Sequence, residues 1–190
     1  MVSFSNFHRL DHAARQVAIE LLANADQGAP PSFMSFTYRW MAFNGWMSAV
    51  TLQNQDWKII NVIAGNEKLG ETHDALLASE PYRERVTEFA ALWPVFNVRD
   101  ARKKLGYDVF AHHDRHALLA TDIRRQPEEW EPGASPSWDQ LIRAIYQVRC
   151  NMFHGEKSPQ NARDHDLIRS SDRVLGFFIV QSGCFAWHDQ

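Results

Sequence analysis

The stretch Ser137-Trp138-Asp139-Gln140-Leu141-Ile142-Arg143-Ala144-Ile145-Tyr146-Gln147-Val148-Arg149-Cys150-Asn151-Met152-Phe153-His154-Gly155 decides the fold class. Ser137 and Gln140 have the spacing of a capping box. The serine hydroxyl can accept the backbone N–H near Gln140, while the Gln140 side chain reaches back. Trp138, Leu141, Ile145, Val148 and Met152 follow at steps of three and four, which is one face of an amphipathic helix. Gly155 falls where a left-handed residue ends a helix, and Pro159 bars a simple continuation. A start, an apolar face and a stop thus follow one another in order.

The same period governs most of the chain on either side. Downstream, a helix from about Asp166 turns Leu167, Ser171, Val174, Leu175, Phe178 and Ile179 inward. Upstream, Phe33, Phe36, Trp40, Phe43, Met47 and Val50 form one long face. Met34, Tyr38, Met41 and Ala49 make the other faces of that segment apolar too. A central helix covered on several sides is therefore expected, with its aromatics in the core. Leu10, Ala14, Val17 and Leu21 mark an N-terminal helix, closed by Gly28-Ala29-Pro30-Pro31. Asp56 to Val62, Glu71 to Ser79 and Arg83 to Leu92 read as shorter helices. Pro94 interrupts, and the signal weakens up to Pro136. Pro127, Pro132, Gly133 and Pro136 give residues 94–136 the look of an irregular insertion before the motif helix, with one or two short helices. No segment alternates with period two. The expectation is an all-α helical bundle forming a single domain over residues 1–190.

Composition narrows the function classes. A chain of 190 residues with 45% apolar content, seven Trp and twelve Phe can build a core without disulfides or metal. Cys150 and Cys184 make no disulfide framework and read as reduced thiols, as in a cytoplasmic protein. Met1 to Leu10 lacks an apolar run, so no secretory leader is expected, and Phe177 to Val180 is too short to span a bilayer. A net charge of -3 argues against a sequence-blind nucleic-acid coat, but not against an enzyme that touches a few nucleotides. Arg99, Arg102, Lys103 and Lys104, like Arg124 and Arg125, read as solvated surface rather than a nucleic-acid track.

Chemistry concentrates at Val148 to Lys157. Five residues turn a helix by about 500°, so Arg149 and His154 stand about 140° apart and do not share a face. Asn151 and His154, at i and i+3, do share one, as do Cys150 and His154 at i and i+4. Two devices bring Arg149 and His154 together: a helix that loosens before Gly155, or two copies meeting across a symmetric interface. Such a cleft suits phosphodiester cleavage in RNA. A histidine titrates near neutrality and can take a proton from the ribose 2′-hydroxyl or give one to the leaving oxygen. The helix C-terminus favours its protonated form. Arginine stays charged and can hold two phosphate oxygens, and Asn151 can position phosphate or ribose. No metal is required. Taken without further context, Arg149 and His154 read first as structural or surface residues, since charged residues near a helix C-terminus are common caps.

Val148 to Lys157 resembles the Arg-x4-His signature of HEPN ribonucleases, close to the version RN-x-x-FHG-x-K found in bacterial defence and stand-alone HEPN proteins. Tyr38-Arg39-Trp40-Met41-Ala42-Phe43-Asn44-Gly45-Trp46 resembles the aromatic helix these proteins carry upstream, with its W-x-x-F-N-x-W look. The two segments together cover nineteen residues. The resemblance implies a helical bundle, a homodimer with a composite active site, and cofactor-free, metal-independent cleavage of single-stranded RNA that leaves a 2′,3′-cyclic phosphate. It makes Arg149 and His154 the catalytic pair and Asn151 a helper. It also implies a setting in bacterial defence or toxin–antitoxin stress control, with an antitoxin or activating protein as a further partner. One departure stands out. The position after the arginine is usually polar, and here it is Cys150, whose thiol is a poor donor. That keeps an alternative open: a catalytically inactive HEPN module that binds a protein partner, a nucleotide or RNA.

Other clusters carry less. His112-His113-Asp114-Arg115-His116 offers imidazoles and a carboxylate, yet only His112 and His116 have helical ligand spacing and no cysteine pair accompanies them, so a polar loop or helix surface is expected over a metal or RNA contact. His165 reads as a helix-start residue. Cys150 is not read as a nucleophile, because no separate His–Asn arrangement is visible and its thiolate would need specific activation.

Overall fold

A computed structural model describes residues 12–27, 32–108, 115–153 and 162–186 of the chain, and it is mostly helical. The elements in order are α1 (His12–Gln27), α2 (Phe33–Thr51), α3 (Asp56–Ala64), α4 (Glu67–Leu77), α5 (Glu80–Ala90), β1 (Val95–Phe96), α6 (Val98–Leu105), α7 (Arg115–Ala120), β2 (Arg125–Gln126), α8 (Trp138–Phe153) and α9 (Ala162–Ser182), followed by a short 3-10 turn at Cys184–Ala186. α2 packs against α1, α3 and α9. α9 also packs against α4, α5 and α8, and α8 leans on α3, α4 and the two strands.

Local chemistry fixes where the helices start. α2 opens with a reciprocal serine box: the Ser35 N–H donates to Ser32 Oγ (3.2 Å), and the Ser32 N–H donates to Ser35 Oγ (2.7 Å). Asn66 caps α4 by accepting from the Leu69 N–H at 3.0 Å. At α8 the expected box forms. The Ser137 N–H donates to Gln140 Oε1 (3.1 Å), and the Gln140 N–H donates to Ser137 Oγ (3.3 Å).

The core is aromatic and belongs to α2, α8 and α9. Phe36, Trp40, Phe43, Met47 and Val50 of α2 are buried, and so are Trp138, Leu141, Ile145 and Val148 of α8. All six inward residues expected on α9 are buried. Trp138 stacks on Phe178 with ring centroids 4.5 Å apart, and its indole N–H donates to the Ile63 carbonyl at 2.9 Å.

α2 is covered on several sides, by α1, α3 and α9, and leaves one stripe open: Met34 and Met41 are 55% and 49% exposed, and with Gly45 and Leu52 they line a face turned to solvent. α1 turns Ala18 and Ala25 inward and leaves Val17 exposed. It carries two apolar stripes, and the small alanines let its backbone approach α2 closely.

Within residues 94–136 the described residues form β1, α6, α7 and β2. The strands pair antiparallel, with Val95 opposite Gln126 and Phe96 opposite Arg125. Two-residue strands are too short for alternation to register in sequence. Phe96, Ala101 and Ile123 make a small satellite core. The basic residues here are tied down on the surface: Lys104 pairs with Asp100 at 3.3 Å, and the Asp100 carboxylate also accepts the Arg124 N–H at 2.8 Å.

His73 of α4 is fully buried where α4, α5 and the start of α8 meet. Its Nε2 lies 2.9 Å from the Pro136 carbonyl, which can only accept, so Nε2 carries the proton. Nδ1 then accepts from the Tyr82 hydroxyl at 2.9 Å. The neutral ring is fully satisfied. Burial lowers its pKa below the ordinary 6.5, against the opposing pull of the Pro136 carbonyl and Asp74. An unfolded chain therefore takes up this proton first as pH falls. The contribution is complete above pH 6.5 and is lost as pH drops from 6.5 towards the lower folded value. Denaturant unfolding at pH 7.5 and 5.5 should show a larger loss for the wild type than for His73→Gln. Equal losses would show that His73 does not govern this part of the profile.

Candidate functional site

Arg149 occupies the last turn of α8 and points towards α2 and α3. Its Nη1 lies 2.9 Å from Asp56 Oδ2, at the first residue of α3. The guanidinium carbon sits 4.9 Å from the centroid of the Phe153 ring, one turn along, and 5.9 Å from that of Trp40. Trp40 in turn stacks on Tyr146, with centroids 6.0 Å apart. The cation thus rests on an aromatic shelf, an arrangement favourable by about 0.5–2 kcal/mol. The side chain keeps 21% of its surface exposed, and its buried Nε has no hydrogen-bond partner among the described residues. Beside Asp56, Trp57 is 56% exposed, with Lys58 Nζ 5.4 Å from its ring centroid. The tip of α8 therefore presents one cation and several aromatic faces, two of them, Phe153 and Trp57, open to solvent.

His154 and Gly155 lie outside the described residues, as do His112, His113 and Asp114. The expected approach of His154 to Arg149 and the glycine stop fall there. Cys150 is half-buried. Burial pushes its thiol pKa up, while hydrogen bonds to Tyr146 and Arg149 pull the other way. Burial thus favours the protonated thiol.

Asn151 does not join Arg149. Two residues along a helix rotate the side chain by about 200°, so it leaves from the opposite side of α8. It is 2% exposed. Its Nδ2 donates to the Phe96 carbonyl at 2.8 Å, and its Oδ1 accepts from the Val98 N–H at 3.3 Å and from Gln147 Nε2 at 2.9 Å. In this geometry Asn151 satisfies the backbone between β1 and α6, and none of its amide groups faces the Arg149 side. Asn151→Ala leaves two buried backbone groups unmet, at about 1–3 kcal/mol each. The expected result is a lower melting temperature with faster amide exchange at Val98. A variant that melts like the wild type yet loses activity would return Asn151 to the site.

Sequence reasoning missed Asp56, Tyr146 and Trp57. Asp56 reads locally as an acidic first-turn residue of α3, and nothing in its neighbourhood signals a partner on α8. Of the other flagged residues, His116 is exposed, and His165 sits in the first turn of α9 with Nδ1 3.9 Å from Asp166. Among the described residues no group of three or more His, Cys, Asp or Glu side chains could hold a metal ion, and no helix is long and apolar enough to cross a membrane. Comparison with protein-family models, with curated proteins and with solved structures finds no match to this chain.

Proposed function

We propose that this protein is a metal-independent endoribonuclease that cleaves single-stranded RNA at the tip of α8, acting as a homodimer in which Arg149 and His154 of both copies line one cleft. The observation that carries this reading is the part-exposed Arg149 guanidinium framed by aromatic rings, five residues before a histidine. Exposed Phe153 and Trp57 offer faces on which unpaired bases stack. The cation offers a fork for phosphate oxygens.

In the reaction the ribose 2′-oxygen attacks the adjacent phosphorus as its proton passes to a base. Charge builds on the phosphate oxygens beside Arg149. The bond to the 5′-oxygen breaks, and that oxygen receives a proton from an acid. The products are a 2′,3′-cyclic phosphate and a 5′-hydroxyl. One histidine from each copy would supply the base and the acid. The setting in bacterial defence or toxin–antitoxin control, with an antitoxin or activating protein as partner, rests on the HEPN resemblance alone.

The test is cleavage of single-stranded RNA by purified protein in EDTA, with product ends identified. The wild type should cut and leave cyclic phosphate, and His154→Ala should not. Cleavage that survives both His154→Ala and Arg149→Ala rules the assignment out.

A second reading, a catalytically silent module that binds a protein, a nucleotide or RNA, is favoured by two observations. Asp56 already pairs with Arg149, and the Met34–Met41 stripe of α2 is open to a partner. Expression separates the two: an active ribonuclease slows growth and His154→Ala relieves it, whereas a silent module is harmless in both forms.

A further inference from the structure

The open stripe of α2 has the pattern of a helix seam. Met34, Tyr38, Met41, Gly45, Ser48 and Leu52 follow at steps of four and three, the alternation that runs along the contact between two helices. Met34, Met41, Gly45 and Leu52 are exposed, and Tyr38 and Ser48 are half-buried. The stripe is also free of charge. Arg39 is the only charged residue from Phe33 to Gln55, and it is held away from the stripe by Asp172 at 2.7 Å and Asp26 at 2.9 Å. A charged partner finds no counterpart here, while a copy of the same face meets no like charge.

Gly45 is an independent sign of something lying on this face. Only proline is worse than glycine in the interior of a helix. A Cβ built at Gly45 meets nothing within 4 Å among the described residues, so the packing of one chain gives no reason for its absence. Glycine at such a place makes room for the close approach of another element.

The stripe is, moreover, its own complement. When a second copy of α2 runs antiparallel to the first, centred on Phe43, each position meets the one that mirrors it. Met41 falls opposite Gly45 of the second copy, Tyr38 opposite Ser48, and Met34 opposite Leu52 at the helix cap. At two of these three levels a large side chain faces a small one, which fills the seam evenly. A parallel pair sets Met41 on Met41 and Gly45 on Gly45, bulk at one level and a gap at the next. Antiparallel helices also oppose their dipoles.

We propose that α2 is a self-association face: two copies of this chain join antiparallel along the Met34–Leu52 stripe, with Met41 of each seated over Gly45 of the other. The seam gives the homodimer of the ribonuclease reading a place to form, but it stands on these residues alone. Its test reads association rather than cleavage, so either can fail without the other. Trp40, beside whose ring Arg149 rests, precedes Met41 on the same helix, so the pairing also fixes the two copies of Arg149 relative to each other.

Sedimentation equilibrium of the full chain reads the association. The wild type should be a dimer. Met41→Glu, at a 49% exposed position, should keep the wild-type circular dichroism and lower dimer affinity by about a hundredfold or more, since it seats an unpaired carboxylate in an apolar seam. Gly45→Ala separates seam from fold. The added methyl favours the helix, so protein diluted to monomer should melt higher, while the dimer should weaken by about tenfold. Tyr38→Cys and Ser48→Cys chains test the orientation. Mixed and mildly oxidised they should form a mixed disulfide, and neither should couple to itself through the new thiol, because like positions lie about 15 Å apart along the seam. A monomeric wild type, a dimer that Met41→Glu leaves intact, association unchanged by Gly45→Ala, or Tyr38→Cys chains that couple among themselves each overturns the proposal.

Discussion

Arg149→Ala is expected to lower the rate of single-stranded RNA cleavage by about two to three orders of magnitude, the usual cost of removing one donor aimed at developing charge. The fold should survive, because what Arg149 gives it is one part-exposed ion pair and a contact with two rings. Two companion variants make the result specific. Arg149→Lys keeps the charge but loses the planar fork, so it should recover part of the RNA binding and little of the rate. Asp56→Ala releases the guanidinium from its 2.9 Å partner. If Arg149 must leave Asp56 to grip phosphate, this variant should bind RNA more tightly and with a steeper dependence on salt. Gel-based cleavage and filter-binding across a salt series read both. An Arg149→Ala protein that cuts at the wild-type rate removes the proposed role, and an Asp56→Ala protein with unchanged binding shows that the ion pair does not restrain the site.

Asp172→Ala is expected to be strongly destabilising. Asp172 of α9 is only 1% exposed. Its Oδ2 accepts from the Ser35 hydroxyl at 2.7 Å and its Oδ1 from Arg39 Nε at 2.7 Å, so one carboxylate ties α9 to two successive turns of α2. Removing it leaves a nearly buried guanidinium, and breaking such a pair costs about 3–5 kcal/mol. The lower figure applies here, because Asp26 still holds Arg39 Nη1 at 2.9 Å. In a domain of this size that is a fall in Tm on the order of 10 °C. Asp172→Asn should cost less. Burial raises the carboxyl pKa more than Arg39 and Ser35 lower it, so the charged form is the penalised one, and an amide escapes that penalty. Gly176, one turn on, explains the tightness of the pair: a Cβ there would lie 2.8 Å from Arg39 Nη1. Gly176→Ala should therefore destabilise through the same network, and its effect should fall short of additive with Asp172→Ala. Thermal melts of the three variants and the double variant check this. An Asp172→Ala protein that melts within a degree or two of the wild type would show that the ion pair is not what joins the two helices.

The long helices were legible because their signals are local. At Ser137 and Gln140 the donor and acceptor sit three residues apart, and on α9 each of the expected inward residues repeats at the helical period. Orientation was legible only where one stripe dominated. α1 offers Ala14, Val17 and Leu21 on one side and Ala18, Leu22 and Ala25 on another. The bulkier stripe is the natural choice on hydrophobicity, yet the smaller side chains won because they fit against α2. The site divides the same way. The position of Arg149 on the last turn of α8 could be read from the chain. Its pairing with Asp56 could not, nor could the turn of Asn151 towards Phe96 and Val98, because both depend on segments remote in sequence.

The amino-acid order by itself determined the long helices, the Ser137–Gln140 cap and the residue types gathered near the end of α8, since propensity, capping and periodicity act over one or two turns. Only the tertiary structure decided which face each helix hides and that Arg149 meets a carboxylate on an aromatic shelf. Those outcomes come from packing volume and from the need of each buried polar group for a partner, and neither is encoded within a single segment.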